Sequence, residues 1–313
     1  MKKNITLKKG LNLNLAGSVV QGGVKEVNVR RVAVTPDDFP GFMPKLDVQP
    51  GDVVKAGQPL LHDKNAEAMK LCSPVAGKVV EVVRGARRKI ERVVVECDAA
   101  AAADVVTLPD DMPVKELLLA SGLWPWMRQR PYDIVPSPDV KPRDIFVTAL
   151  DTAPLAVDYI VPSVDVLVAG VKALCALTDG KVYIGVAADS DFPAVAGAEV
   201  VGFNRLHPAG NAGVQAANIA PVNKGEVIWT LSLDALARIG LLVIKRRADF
   251  SATVALTGSE VKTPCVLSTV AGAEIKPLVE GRLAAEGHKR IISGNVLTGV
   301  PVGEDGYLRF PYR

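Results

Sequence analysis

Through the first hundred residues, apolar positions come in short runs that alternate with polar ones, and glycine or proline cuts each run. Residues 27–34, 53–54, 77–83 and 90–96 carry this pattern and predict an all-β module. Beyond it the period lengthens. In Asp111-Met-Pro-Val-Lys-Glu-Leu-Leu-Leu-Ala-Ser-Gly122 a proline stands near the helix start, Val114, Leu117 and Leu118 share a face, and Gly122 offers a stop. An apolar strand over 145–150 ends at Asp151. A helical stretch near 164–177, a strand over 181–187 and another near 199–203 follow. Strand, helix, strand at this spacing predicts a parallel α/β layer. Residues 228–231, a short helix capped by Ser232 and running to Ile239, and residues 242–245 extend it. From Thr263 the texture changes. An apolar run over 264–270, a polar helix-like stretch around 275–286 and Arg290-Ile-Ile-Ser-Gly-Asn-Val-Leu-Thr-Gly299 predict a small β-grasp-like module. The predicted domains are 1–103, 104–260 and 261–313, with the alanine-rich 99–104 as the first linker.

Two segments of the β module have a common chemistry. Val48-Gln-Pro-Gly-Asp-Val-Val-Lys-Ala-Gly-Gln-Pro-Leu60 brackets a β-branched pair with Pro-Gly and Ala-Gly turns, and Ser73-Pro-Val-Ala-Gly-Lys-Val79 repeats the device. Together they resemble the hammerhead of biotinyl and lipoyl carrier domains, which implies a flattened barrel. Glu67-Ala-Met-Lys70 looks like the modified-lysine tetrapeptide of biotin carriers, but only Leu71, Cys72 and Ser73 separate Lys70 from Pro74. At about 3.3 Å per residue that is too short to return from an exposed tip. Lys70 is therefore expected to be an ordinary solvated residue, in a barrel without carrier chemistry.

Composition narrows the picture. The 313 residues are 49% hydrophobic, which suits globular domains. No apolar run reaches the roughly 18 residues of a spanning helix, so any membrane association is expected to be peripheral. The first ten residues have lysines but no following apolar region or cleavage site, so no signal peptide and a cytoplasmic location are expected. Cys72, Cys97, Cys175 and Cys265 form no CxxC pair, and His62, His207 and His288 stand far apart. That pattern argues against a disulfide framework and against a zinc or iron–sulfur site, and no metal is expected. A net charge of +3 is too mild to imply nucleic acid. The basic excess is local: Arg84, Arg87, Arg88, Lys89 and Arg92 crowd one short stretch. A solvated hairpin tip explains it, and so does a surface for an acidic partner or anionic lipid.

Several ordered motifs carry a wider resemblance. Gly85-Ala-Arg-Arg88, Gly122-Leu-Trp124 with Arg128-Gln-Arg-Pro131, Phe146-Val-Thr-Ala-Leu-Asp-Thr-Ala-Pro-Leu155, Leu177-Thr-Asp-Gly-Lys-Val-Tyr183, His207-Pro-Ala-Gly-Asn-Ala-Gly213 and Arg290-Ile-Ile-Ser-Gly294 together resemble the A-type subunit of the Na+-translocating NADH:quinone oxidoreductase. The resemblance implies a biotinyl/lipoyl-like β-barrel, a Rossmann-like α/β domain related to the flavin-bearing subunit of respiratory complex I, and a β-grasp domain of the soluble-ligand-binding type. It also implies a C-terminal helical region, expected to be missing because Phe310-Pro-Tyr-Arg313 follows directly on a candidate strand. The chain is expected to act through its assembly, with other, membrane-embedded subunits as partners and no independent activity.

Where flavin-bearing relatives continue from a Ser-Gly-Leu lead-in to a glycine-rich loop, Ala120-Ser-Gly-Leu123 runs here into Trp124-Pro-Trp-Met-Arg-Gln-Arg-Pro131. Indoles, a thioether and guanidinium stems replace bare backbone, and no GxGxxG or Ser/Thr-Gly-Ala-Thr motif occurs. No FMN and no NADH site are expected. Two readings remain. A quinone, with two carbonyl acceptors on a flat apolar ring, needs donors beside apolar walls. Trp124, Trp126, Arg128, Arg130 and Tyr132 supply that mixture, with Asp151 at a strand's carboxyl end and His207 as further candidates. The alternative is a docking subunit that carries no electrons, in which the tryptophans plug a core and Asp151 caps its own turn.

Overall fold

The computed structural model describes residues 3–20, 23–284, 287 and 289–312. Two short strands come first. β1 (Lys3–Ile5) and β2 (Val24–Glu26) are too short and polar to show an alternation, and neither stays with the barrel. β1 pairs in parallel with residues 201–203 and β2 with residues 266–268. Residues before Val27 thus lend one edge strand to each of the other two units.

The barrel is made by β3 (Arg31–Val34), β4 (Pro44–Leu46), β5 (Val53–Val54), β6 (Pro59–Asp63), β7 (Lys70–Cys72), β8 (Gly77–Arg84) and β9 (Ile90–Cys97). Two sheets, in the orders β3-β9-β8-β5 and β4-β6-β7, bury Val32, Val54, Leu60, Leu61, Val79, Val93 and Val95. Lys70 opens β7 opposite His62. It is half-buried, with Nζ 3.6 Å from Asp47 Oδ2, while His62 Nδ1 lies 2.6 Å from Asp47 Oδ1. The expectation of a freely solvated lysine is corrected accordingly.

The α/β layer comprises α1 (Val114–Ala120), β10 (Arg128–Arg130), β11 (Ile145–Ala149), α2 (Val164–Cys175), β12 (Val182–Ala187), β13 (Ala198–Phe203), α3 (Ala212–Ile219), β14 (Ile228–Ser232) and α4 (Leu233–Lys245). The sheet order is β1-β13-β12-β11-β14-β10, parallel throughout except for β10, which runs antiparallel to β14. The order reverses between β11 and β14, so the crevice of this Rossmann-like sheet opens at their carboxyl ends. The Ser232 hydroxyl accepts from Ala235 N and starts α4. The helix then runs to Lys245 without the predicted break at Ile239, because Gly240 is a packing residue and no stop. A Cβ there would lie 2.1 Å from the Val166 carbonyl oxygen, and one on Gly170 2.7 Å from that of Leu236, so α2 and α4 cross with their backbones nearly touching. α3 covers the opposite face over Phe146, Leu150, Tyr183 and Phe203.

The third unit has β15 (Ser251–Leu256), β16 (Cys265–Val270), α5 (Lys276–Val279), β17 (Ile291–Ser293) and β18 (Val300–Val302). β15 pairs with β16, so this unit begins ahead of the predicted boundary at 261. The predicted polar helix over 275–286 is realised as the single turn of α5, and Ala285, Glu286 and His288 lie outside the described residues. All three units meet at one aromatic junction. Phe310 lies 5.2 Å from Phe39 and 5.4 Å from Trp126, and Trp126 lies 5.6 Å from Tyr312 and 6.4 Å from Phe250. Buried Asp38 accepts there from Arg309 Nε at 2.6 Å and Phe310 N at 2.9 Å. Among the described residues no helix is long and apolar enough to cross a membrane.

Two outcomes test this packing. Gly240→Ala forces the α2–α4 crossing apart and should cost about 1–3 kcal/mol, read as a lower urea midpoint with an unchanged m-value. Burial pushes the Cys72 thiol up to about 12 and the Cys97 thiol up to about 11. Thiol labelling of native protein near pH ~8 should therefore modify exposed Cys175 first and reach Cys72 only on unfolding.

Candidate functional site

The carboxyl ends of β11 and β14 open onto a cavity of about 560 Å³. Leu150, Asp151, Leu231 and Ser232 form its floor, Arg130 enters from β10, and His207 with Asn211–Val214 closes the side at the start of α3. Tyr159 and the β17–β18 loop residues Asn295, Leu297 and Thr298 complete the wall, so the third unit roofs the crevice of the second. Arg130 Nε donates to Thr230 Oγ1 at 3.3 Å and its guanidinium pairs with Asp133 at 3.4 Å. Asp151 Oδ1 accepts from Ala153 N at 2.9 Å, the turn role the sequence allowed for it. His207 Nδ1 lies 3.2 Å from Thr152 Oγ1, which also accepts from Gly210 N at 2.9 Å. With that oxygen already accepting, the Thr152 hydroxyl can donate to Nδ1, a tautomer that leaves Nε2 as a donor.

The loop reaches this position because Gly210 permits it: a Cβ there would sit 2.6 Å from Thr152 N. A second anchor lies beneath. Buried Thr148 donates to Gln215 Oε1 at 3.2 Å, and Gln215 Nε2 donates to the Ala209 carbonyl at 3.0 Å. Gly185 makes room for the Gln215 amide, which a Cβ would meet at 2.2 Å. Thr152, Gln215 and Asn295 are absent from the sequence-based candidates. A glycine inside the apolar strand at 185 was the available signal for Gln215, and nothing local marks Asn295.

Less polar space lies beside the crevice. A neighbouring cavity shares Asp151, Tyr159, Ser232, Asn295 and Thr298 with it. That cavity in turn shares Pro154, Leu155, Ala255 and Asn295 with a chamber of about 430 Å³ inside the third unit. Leu256, Val261, Leu267, Ile275, Leu278, Val279 and Leu308 line the chamber, and Lys289 and Arg290 stand at its edge. A polar crevice and an apolar chamber thus lie on either side of an intermediate cavity that shares wall residues with both.

Of the sequence-predicted residues, the structure brings Arg130, Asp151 and His207 to the crevice and places the others elsewhere. Trp124 is buried, donates from Nε1 to the Pro136 carbonyl at 2.8 Å and packs edge-on against Trp229 at 5.2 Å. Trp126 belongs to the aromatic junction. Arg128 donates to the Asp38 carbonyl at 2.5 Å with its Cζ 5.2 Å over the Phe310 ring. Burial draws its pKa below the usual arginine value against the pull of Asp133 and Asp38. Asp38 is held above the usual carboxylate range by burial, opposed by the Phe310 amide and Arg309. Tyr132 is 78% exposed and lines no part of the crevice. In the basic stretch, Arg84, Arg87 and Arg88 are exposed. Lys89 is tied to Asp37 at 2.6 Å, and Arg92 turns away, with Cζ 5.7 Å over the Tyr307 ring. Among the described residues no cluster of histidine, cysteine and carboxylate groups could hold a metal ion.

A flattened β-barrel, a Rossmann-like layer and a β-grasp-type unit gathered around one crevice define a modular, three-unit α/β protein. The comparisons resolve this class further. Residues 5–98 match the family model for the NqrA N-terminal barrel-sandwich hybrid domain, 110–247 that for the NqrA second alpha/beta domain, and 253–303 that for the NQRA C-terminal domain. The chain is 37% identical over 308 residues to the NqrA subunit of the Na(+)-translocating NADH-quinone reductase of Alcanivorax borkumensis, covering 94% of this chain and 68% of that one. It is 36% identical to the corresponding protein from Serratia proteamaculans, covering 97% and 71%. The chain belongs to the NqrA family of Na(+)-translocating NADH-quinone reductase subunits, and so to the components of an oxidoreductase complex.

The two groups of candidates should separate by stability. Trp126→Ala should cost about 3–5 kcal/mol in urea unfolding, whereas Tyr132→Phe should stay within about 0.5 kcal/mol of the parent.

Proposed function

We propose that this chain serves the electron transfer from NADH to quinone that its relatives' name describes by holding a quinone in the crevice. The observation that carries the reading is the adjacency of polar crevice, intermediate cavity and apolar chamber. A quinone has a flat head with two carbonyl acceptors and an isoprenoid tail, and crevice and chamber match those two parts in order. Arg130 and His207 are the donors for the head, and Asp151 shapes the turn beside them. The apolar walls around Leu256, Leu267 and Leu278 take the tail. Each donor supplies about 0.5–1.5 kcal/mol, more if charged, and the tail gains by burial.

Flavin is not part of this proposal. Trp124 and Trp126 fill the volume after Leu123 with packed side chains, and Pro125 and Pro131 remove backbone donors from that stretch. These features support a chain without FMN or an NADH site, in which electrons arrive from other subunits. The peripheral position we assign is on the cytoplasmic face of the inner membrane, in an assembly that couples the reaction to Na+ export. The second reading is a docking role with no quinone contact, and the exposed Arg84, Arg87 and Arg88 favour it.

A titration decides between them. A ubiquinone with a single isoprene unit should quench the tryptophan emission of the chain saturably. Arg130→Gln and His207→Ala should each weaken binding by about 3- to 10-fold with unchanged urea midpoints, and lengthening the tail should tighten it. A flat response at all tail lengths refutes the quinone site and leaves the docking role.

A further inference from the structure

The barrel carries a second concave surface, built from none of the crevice residues. A groove of about 590 Å³ runs beside β4, lined by Phe42, Met43, Pro44, Lys45 and Leu46 on one side and by Arg84, Arg88, Lys89 and Ile90 on the other, with Lys64 at one end. Five of these ten residues are cations and none is acidic. Lys89 is neutralised by Asp37, but among the described residues no carboxylate forms an ion pair with Lys45, Lys64, Arg84 or Arg88. Phe42 and Ile90 are buried, Leu46 is half-buried and Met43 is 48% exposed, so the cations ring an apolar floor.

The tip of the β8–β9 hairpin is shaped to hold this arrangement. Arg87 and Arg88 both have left-handed backbones, with φ of 55° and 60°, a conformation that costs a non-glycine residue roughly 1 kcal/mol. Arg84 Nη1 donates to the Arg88 carbonyl at 3.0 Å and keeps the tip folded toward the groove. Across from it, β4 is the edge of its sheet, bonded to β6 alone. The ladder bonds Lys64 N–Met43 O and Asp47 N–Leu60 O flank the Lys45–His62 pair. Their alternation turns the Lys45 backbone groups toward β6 and leaves the Leu46 N–H and C=O, with the Pro44 carbonyl, on the open side. An open strand edge is the geometry that accepts an added strand. An anionic lipid surface is the poorer fit, because Phe42 and Ile90 are buried and Met43 is the one exposed residue of the apolar lining.

We propose that this groove receives an extended acidic segment of a companion protein of the complex, added along β4. Its carboxylates meet Lys45, Lys64, Arg84 and Arg88, and alternate apolar side chains seat on Phe42, Leu46 and Ile90. The proposal rests on the chain's place in a multisubunit complex and is independent of whether quinone binds.

The probe is a fluorescein-labelled hexapeptide alternating glutamate and valine, followed by anisotropy with the full 313-residue chain. Saturable binding is expected, weakened at least about 10-fold by the double substitution Lys64→Glu/Arg88→Glu and reduced by salt as the Debye length shortens. A lysine–valine peptide should not bind. Both substituted residues are charged surface groups, and unchanged urea midpoints would confirm that folding is intact. Arg130→Gln should leave peptide binding alone, and the double variant should leave the quinone titration alone, so the two proposals fail separately. Absence of peptide binding at millimolar concentration, or binding indifferent to the charge reversal, overturns the proposal. Binding to phosphatidylglycerol–phosphatidylcholine vesicles, lost in the double variant and without peptide binding, overturns it in favour of a lipid surface.

Discussion

Buried Asp38 is the group on which the arrangement of the three units depends. It stands in the barrel, takes Arg309 Nε at 2.6 Å and the Phe310 amide at 2.9 Å from the third unit, and its own carbonyl accepts Arg128 from the α/β layer. A carboxylate out of water is costly, and burial accordingly raises its pKa. The cost is tolerated because the partners come from both of the other units, so the pairing forms only when all three are correctly placed. Removing one partner from such a group typically costs about 3–5 kcal/mol. The surrounding rings of Phe39, Trp126, Phe250, Phe310 and Tyr312 exclude water from it. The roof over the crevice, Asn295 to Thr298, is held by this same junction, since Arg309 N also donates to Ser293 Oγ at 2.9 Å.

Much of the fold was readable along the chain because the strongest signals were local. The alternation over β8 and β9, Ser232 at the start of α4, and the apolar run of β11 state their structure in a few neighbouring residues. What escaped was set by distant partners. β1 and β2 are strands only because β13 and β16 offer open edges, and the continuation of α4 past Ile239 depends on α2 lying against Gly240. The α3 helix, which begins inside the His207–Gly213 motif, was not anticipated. The candidate site divided along the same line. Asp151 could be placed at a strand end from the sequence, whereas the close approach of Gly210 that sets His207 beside it appears only in the fold. Residues of the 124–132 stretch could not be sorted by composition, because indoles and guanidiniums serve a core junction as well as a binding site. Only the third dimension separates Arg130, in the crevice, from Arg128, under Phe310.

The crevice itself shows how a Rossmann-like layer can keep its ligand edge while changing what lies there. Side-chain pins shape that edge. Thr152 and Gln215 hold the loop before α3 from two sides, and the roof comes from another unit. The site is therefore assembled across a domain boundary, which makes its shape sensitive to how the units sit.

The pairing of β1 with β13 and of β2 with β16 has a consequence for biogenesis. Residues 3–5 and 24–26 leave the ribosome long before their partners near 201 and 266 exist. Those segments therefore lack these strand partners while the barrel that follows them closes. The exposed leucines Leu11, Leu13 and Leu15 lie between them in the chain. Nascent chains of this family should for that reason depend on chaperone cover at the amino-terminal strap during the interval between barrel closure and completion of the third unit.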